Sequence, residues 1–453
     1  MTLVVPLVPA PDPFGACVRF SGVPHLLFLD SSTQGFVSRY SFLTADPIAV
    51  ADSLDAARTL LRPHRRVPVP DLPPFQGGLA GYIGYDWGAD LERVTRPSAD
   101  RCTPRLPDLL LGLYDWVIAW DHLEEKAWII CLHDDAQGAA RVAWVRGRLA
   151  ARAPAVRDHP APIPGPPRSN FARDEFEAGV ARIREYIAAG DVYQVNLAQR
   201  FHTAFDGYPL ALYRRLRARN PAPFGAYLEF SRAAIASISP ERFLRLDAVT
   251  RIAEARPIKG TRPRGKTRRK DEDLARELLA SEKDRAENVM IVDLLRNDLG
   301  KVCATGSVGV PKLFALEGHP TVHHLVSTVR GLLADHTDAF DLLLAAFPGG
   351  SITGAPKIRA MQIIAELERA PRGVYCGAIG YISVTGGMDL NIPIRTIVIS
   401  DGQATFHAGA GIVWDSEPAA EYHETLAKAR PMIEALTSPR RMPRTRGPAH
   451  PPA

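Results

Sequence analysis

Strand-like runs follow one another in this chain without a helix between each pair, and that order restricts the possible architecture more than any other feature. In the first third HLLFLDSS, DLLLGLYDWVIAW and KAWIICLH read as strands, and the glycine-rich QGGLAGYIGYDWG (residues 76–88) is expected to bend between them. Farther on, AIASI, GAIGYISV, IRTIVIS and ATFHAGAGIVW are also strand-like. Downstream, helical periodicity marks four stretches: 171–189, with Phe176, Val180, Ile183 and Ile187 on one face, then 273–298, 356–367 and 417–436. A doubly wound parallel sheet needs regular alternation of strand and helix. The expected class is therefore α+β, with antiparallel sheets packed against helices.

Residues 151–170 contain six prolines and no apolar periodicity, so they read as a linker between an N-terminal domain, 1–150, and a larger domain, 171–437. The proline- and arginine-rich tail, 438–453, is expected to be disordered. With 46% hydrophobic and 23% charged residues the chain has the composition of a soluble globular protein. The start, MTLVVPLVPAPDPFG, has no basic region and is broken by Pro6, Pro9, Pro11 and Pro13, which makes it a poor signal peptide. No apolar run approaches the roughly 18 residues of a membrane span. Five cysteines lie far apart without a CxxC pair, arguing against a zinc site or a disulfide framework; a reducing cytoplasm is expected. The net charge of +5 is concentrated in RPRGKTRRK and RRMPRTRG, which lack the interleaved aromatics of a nucleic-acid stacking platform.

Of 55 basic residues nine are lysines, and one of these, Lys259, sits in RPIKGTRPRG among Arg256, Arg262 and Arg264. An ammonium, unlike a guanidinium, can become a neutral amine and act as nucleophile or base, and nearby like charges lower its pKa. The same stretch also suits a basic loop whose lysine faces water. Asp284 and Glu287 are three residues apart on the second helical stretch, with Met290, Ile291 and Leu294 at i+3, i+4 and i+7 from Glu287, so a carboxylate lies in line with an apolar stripe. Glu421 and Glu424 repeat the spacing on the last helix. Two such pairs suit a hard, partly hydrated cation such as Mg²⁺; two solvated helix faces, with Glu424 paired to Lys428, fit the spacing equally.

The segment FPGGSITGAPKIRAM places glycines and hydroxyls ahead of a helix, an arrangement for binding an anion or for a simple capping turn. HAGAGIVWDS closes a strand with glycines that would let a ligand approach the backbone. Arg395, inside the apolar IPIRTIVIS, needs an anionic partner if it points inward. His323 and His324 are candidate acids or bases. Neither GxSxG nor GxCxG occurs, so no hydrolase elbow and no glutaminase cysteine is present.

Together GDVYQVNLAQRF, SPERF, RPIKGT, DRAENVMIVDLLRNDLG, HHLVSTV, FPGGSITGAPKIRAM, CGAIGY, IRT, AGAGIV and SEPAAEYHETLAKAR resemble the chorismate-utilising enzymes. That family comprises anthranilate, aminodeoxychorismate, and isochorismate or salicylate synthases. FLDSS, RYSFLTADP and PFQGGLAGYIGYD extend the likeness to the smaller domain of the synthase components. The resemblance implies an α/β sandwich of the anthranilate synthase component I type. Isochorismate and salicylate synthases carry a water-activating lysine where this chain has Gln194, and anthranilate synthases have alanine where it has Lys259. The implied reaction is conversion of chorismate and ammonia to 4-amino-4-deoxychorismate, with anthranilate formation as the alternative.

The resemblance assigns roles in turn. Mg²⁺ would be held by Glu287 and Glu424, with Asp284 and Glu421 behind them. Tyr381, Arg395 and the backbone of Gly409, Ala410 and Gly411 would hold a substrate carboxylate, while Gly260 and Thr261 line the ring site. Lys259 would be the nucleophile, Glu241 the acid for the leaving hydroxyl, and His324 a supporting group. Ammonia implies a separate glutamine amidotransferase subunit. Leu29, Asp30 and Ser31, with residues 220–224 including Pro223 and Phe224, match the tryptophan pocket of anthranilate synthases, with aspartate in place of its glutamate.

Overall fold

The computed structural model describes residues 2–33, 35–156, 165–230, 232–318 and 322–437. Two antiparallel sheets, of 12 and 10 strands, stack face to face, and helices cover both outer faces. Between the sheets lie Leu27, Phe42 and Val117 from one and Ala80, Tyr82 and Ile379 from the other. Outside the larger sheet, helices Pro13–Phe20, Ala136–Ala150, Pro209–Arg219 and Pro418–Thr437 bury Val18, Val145, Leu212 and Met432. Helices Leu54–Leu61, Glu282–Gly300 and Ala339–Ala346 cover the smaller one with Leu61, Ile291 and Phe340. This is the expected α+β class. Among the described residues no helix is long and apolar enough to cross a membrane.

The expected domain boundary is not a structural boundary. Strand Leu26–Asp30 pairs with Phe224–Glu229, and Gly78–Ile83 pairs with Ala378–Ser383, so segments from both sides of the proline-rich stretch complete both sheets. Within 151–170 the described part ends in a short strand, Arg168–Ser169, on the edge of Gln194–Ala204. The expected disordered tail, 438–453, lies outside the described residues.

Two local expectations also change. The glycine-rich 76–88 is a buried central strand, Gly78–Ile83, followed by helix Tyr85–Leu91. Its glycines serve close strand approach, since a Cβ on Gly81 would lie 2.0 Å from the Leu110 carbonyl oxygen. The helix expected over 273–298 is two helices, Arg268–Ala280 and Glu282–Gly300. Ser281 divides them: its Oγ accepts the Asp284 N–H at 3.2 Å and starts a fresh N-terminus. Asp284 therefore occupies the first turn of the second helix, and Glu287 follows a turn later. The helices expected at 171–189, 356–367 and 417–436 are Arg173–Ala188, Lys357–Leu367 and Pro418–Thr437.

Candidate active site

A cavity of ≈ 460 Å³ lies where strand Ile258–Pro263, the ends of Gln194–Ala204 and Gln403–Ile412, and helices Glu282–Gly300 and Pro418–Thr437 converge. It brings together Lys259, Gly260, Thr261, Glu241, His324, Arg395, Gly409, Gly411 and all four predicted carboxylates.

Lys259 reaches the cavity because its strand slips register against Val322–Leu332 between Lys259 and Thr261. Gly260 makes that bulge at φ +77°, a conformation that costs glycine little. A side chain there would also strike Asp284 Cγ at 2.9 Å. Burial lowers the Lys259 pKa most; the Lys428 cation adds to this, while Glu287, Glu241 and Glu424 oppose it. The arginines expected to do so are engaged elsewhere: Arg256 with Glu317, Arg262 with Glu277 and Asp284, Arg264 with Asp271.

Ser351, which sequence reasoning did not single out, joins the lysine to the acid. Its carbonyl accepts a long contact from Lys259 Nζ at 3.5 Å, and its Oγ donates to Glu241 Oε1 at 2.8 Å. Burial pushes the Glu241 pKa up, towards a neutral carboxyl that can give a proton. The turn Gly350–Ile352 places Ser351, whereas the helix N-terminus, for which the sequence leaves anion binding and a capping turn both open, stays outside the cavity. Lys357 in its first turn is buried against Asp298 at 2.7 Å.

Behind the turn, Arg372 and Glu368 form a buried ion pair at 2.6 Å. Arg372 also donates to the carbonyls of Ile352 and Asn196, and Glu368 accepts the Ala198 N–H. The pair therefore ties the Ser351 turn to the cavity strand. Arg372→Ala strands the Glu368 charge and should lower stability by about 3–5 kcal/mol in urea unfolding; a loss below about 1 kcal/mol would show that water replaces the guanidinium.

Asp284 is paired with Arg262 at 3.3 Å, Glu424 with Lys428 at 2.7 Å, and Glu421 accepts from Ser416 Oγ at 2.6 Å. Glu287 has no hydrogen bond or ion pair among the described residues, and burial raises its pKa. Among those residues no group of three or more metal-type donors converges. Arg395 sits at φ +52° just before strand Thr396–Ser400, which turns it into the cavity. Burial lowers its pKa, and no carboxylate of the described residues pairs with it. His324 Nδ1 and Thr261 Oγ1 lie 3.0 Å apart, whereas His323 is held by Asp271 at 2.9 Å.

Two predicted substrate contacts are displaced. Tyr381 points into the layer between the two sheets and lines a separate cavity of ≈ 170 Å³, stacked on Phe75 at 4.6 Å. Tyr375, in the loop before the Tyr381 strand, lines the Lys259 cavity instead. Ala410 faces the helical core with Phe176 and Val180, because neighbouring strand residues alternate between faces; only Gly409 and Gly411 open onto the cavity. Gln194 approaches Gly411, where a Cβ would lie 2.9 Å from its Nε2 and 3.9 Å from Lys259 Nζ. The smaller cavity gathers Ser31, Pro223 and Phe224, and Ser31 Oγ donates to the Pro223 carbonyl at 3.1 Å. Asp30 at its edge is held by Arg217 and Tyr213.

A lysine whose pKa burial lowers, a buried carboxyl whose pKa burial raises, an arginine without a carboxylate partner and two carboxylate pairs define a site for a small anionic substrate. A family profile described as chorismate binding enzyme matches residues 27–434, and the chain belongs to that family. Over 391 residues it is 44% identical to aminodeoxychorismate synthase component 1 of Salmonella typhimurium, covering 86% of this chain and 83% of that protein. It is also 41% identical over 449 residues to anthranilate synthase component 1 of Streptomyces coelicolor, covering 94% of this chain and 86% of that protein. The crystal structure of anthranilate synthase component I from Streptococcus pneumoniae TIGR4 superposes with a TM-score of 0.77 at 34% identity, covering 88% of this chain and 93% of that one.

Proposed function

We propose that the chain is the synthase component that converts chorismate and ammonia to 4-amino-4-deoxychorismate and water. The observation that carries this reading is Lys259, its Nζ beside the bare backbone of Gly411 and linked through Ser351 to Glu241. Relatives with the anthranilate and aminodeoxychorismate names occur at similar identity, so the reading rests on Lys259, where the resemblance gives anthranilate synthases alanine.

The neutral amine of Lys259 attacks C2 of the ring. The double bonds shift, and the C4 hydroxyl leaves as water with a proton from Glu241. Ammonia then attacks C4, the bonds shift back, and the C2–N bond to Lys259 breaks. The excess proton of the incoming nitrogen returns to the Glu241 and Lys259 pair. Arg395, with Tyr375 beside it, receives a substrate carboxylate, and Gln194 supplies no base for adding water.

The carboxylates fit Mg²⁺, which needs few protein ligands and keeps waters: Glu287 is unpartnered, and burial, with the Asp284 and Glu424 charges, raises its pKa against the pull of Lys259 and Lys283. Glu287 and Glu424 would hold the ion directly, Asp284 and Glu421 from behind. When bound it supplies the positive charge that lets a ring carboxylate sit against four acidic side chains. Glu287→Gln should raise the Mg²⁺ concentration for half-maximal rate at least about tenfold while leaving the melting temperature unchanged or higher, since a buried unpaired carboxylate is removed. An unchanged Mg²⁺ titration would contradict the assignment.

Ammonia points to a partner glutamine amidotransferase, in keeping with the component 1 names of the relatives. Tryptophan belongs to this reading at the smaller cavity, near Ser31, Pro223 and Phe224. The nucleic-acid alternative required solvated carboxylate pairs, and these line a cavity instead. Incubation with chorismate, Mg²⁺ and an ammonium salt, with the product identified by mass, tests the proposal. Anthranilate with release of pyruvate would overturn it.

A further inference from the structure

A second cavity, of ≈ 430 Å³, adjoins the Lys259 cavity, and Tyr375 and His407 line both. Their rings stack at 5.0 Å and form the partition. On its outer side the second cavity is bounded by an exposed loop rich in proline and arginine, including Pro97, Arg101 and Arg105.

The pairing of strands Gln194–Ala204 and Gln403–Ile412 connects the two spaces. Asn196 lies opposite Gly411, Ala198 opposite Gly409, and Arg200 opposite His407, so these residues share one face of the sheet. Two glycines and an alanine leave a strip of nearly bare backbone from Lys259 at the Gly411 end to His407 at the other. Larger residues do not fit, because a Cβ on Gly409 would lie 2.5 Å from Asn196 Oδ1 and 2.9 Å from the Tyr375 hydroxyl. Unsatisfied polar atoms line the strip: the Gln194 amide, Asn196 Oδ1 and His407 Nε2 are buried without a hydrogen-bond partner. Buried polar groups without partners are costly and rare, so this row suits a small molecule able to donate hydrogen bonds.

His407 is suited to accept. The Pro371 carbonyl takes the hydrogen bond of its ring, which leaves Nε2 with a free lone pair. Burial, with the Arg200 and Arg372 cations, keeps the ring neutral.

We propose that the second cavity is the antechamber for the nitrogen nucleophile: ammonia passes the Tyr375–His407 partition and follows the Gly409–Gly411 strip to the ring held at Lys259. No bond forms on the way. His407 Nε2 and Asn196 Oδ1 accept its N–H groups in turn, and the only chemical step is its attack at C4. This rests on the proposed amination, and the test separates the two.

The test uses the purified chain with Mg²⁺, chorismate and an ammonium salt at fixed pH. His407→Phe keeps the ring stack and removes the acceptor; Thr405→Trp fills the second cavity away from Lys259. Both should raise the KM for ammonium about tenfold and leave the KM for chorismate within about twofold, the loss expected for one buried hydrogen bond. His407→Gln, which keeps an acceptor, should recover most of the loss. An ammonium KM within about twofold of wild type in both folded variants overturns the route and leaves the cavity to water. A parallel rise in both KM values, with a lower melting temperature, would reduce His407 to a packing role and also overturn it. If wild type yields no aminated product, the functional reading itself has failed, before any variant is compared.

Discussion

Replacing Lys259 by alanine is expected to leave a folded protein that binds chorismate but forms aminated product at least about a thousandfold more slowly. The large effect follows from the position of the amine. Lys259 Nζ has one long contact with a carbonyl and the Gly411 backbone close by, so it is poised towards the cavity and contributes little to packing. Burial lowers its pKa and raises that of Glu241, moving the pair towards neutral amine and neutral carboxyl, the protonation state the first step consumes. The rate should therefore be bell-shaped in pH, with limbs that belong to the pair. A near-wild-type rate in Lys259→Ala, measured with saturating ammonium, would mean that ammonia reaches the ring without a covalent intermediate.

Arg395→Met is the second large effect. A mostly buried guanidinium with no carboxylate partner is costly in the free protein, and a substrate carboxylate supplies the missing charge. Losing that pairing should raise the KM for chorismate about a hundredfold, from the 2–5 kcal/mol typical of a buried charge pair, and should change kcat far less. The apo melting temperature should stay level or rise, because methionine fills similar volume without an unpaired charge. A lower melting temperature with an unchanged KM would show that Arg395 has a structural partner and no role in binding.

The fold class could be read from the sequence because it depends on local order: strand beside strand, with helices set apart. The three helices with uninterrupted periodicity came within two residues of their observed ends. The break at Ser281 was hidden because apolar spacing runs through it, and a single hydroxyl cap decides the geometry. The domain division failed for a different reason. The proline-rich stretch is a surface crossing, and nothing local indicates that Leu26–Asp30 pairs with a strand nearly 200 residues away.

The same distinction holds at the site. Lys259, the carboxylate pairs, Arg395 and the two glycines sit in motifs whose spacing carries the chemistry, and the fold gathers them in one cavity. Tyr381, in CGAIGY, shares a sheet with Lys259, but its side chain enters the layer between the sheets, and Tyr375 in the preceding loop faces the substrate space. Ser351 acts through its carbonyl as well as its hydroxyl, and backbone contacts leave no mark on residue type. The line of free acceptors from Gln194 to His407 exists only after two strands pair.

The central claim is the covalent role of Lys259. Its most direct measurement is the intact mass of the protein, quenched after mixing with chorismate and Mg²⁺ in the absence of ammonia. The predicted result is a species heavier by one chorismate less one water, mapped to the peptide containing Lys259 and discharged to 4-amino-4-deoxychorismate when ammonium is added. An unmodified protein that nonetheless turns over chorismate with ammonium would contradict it.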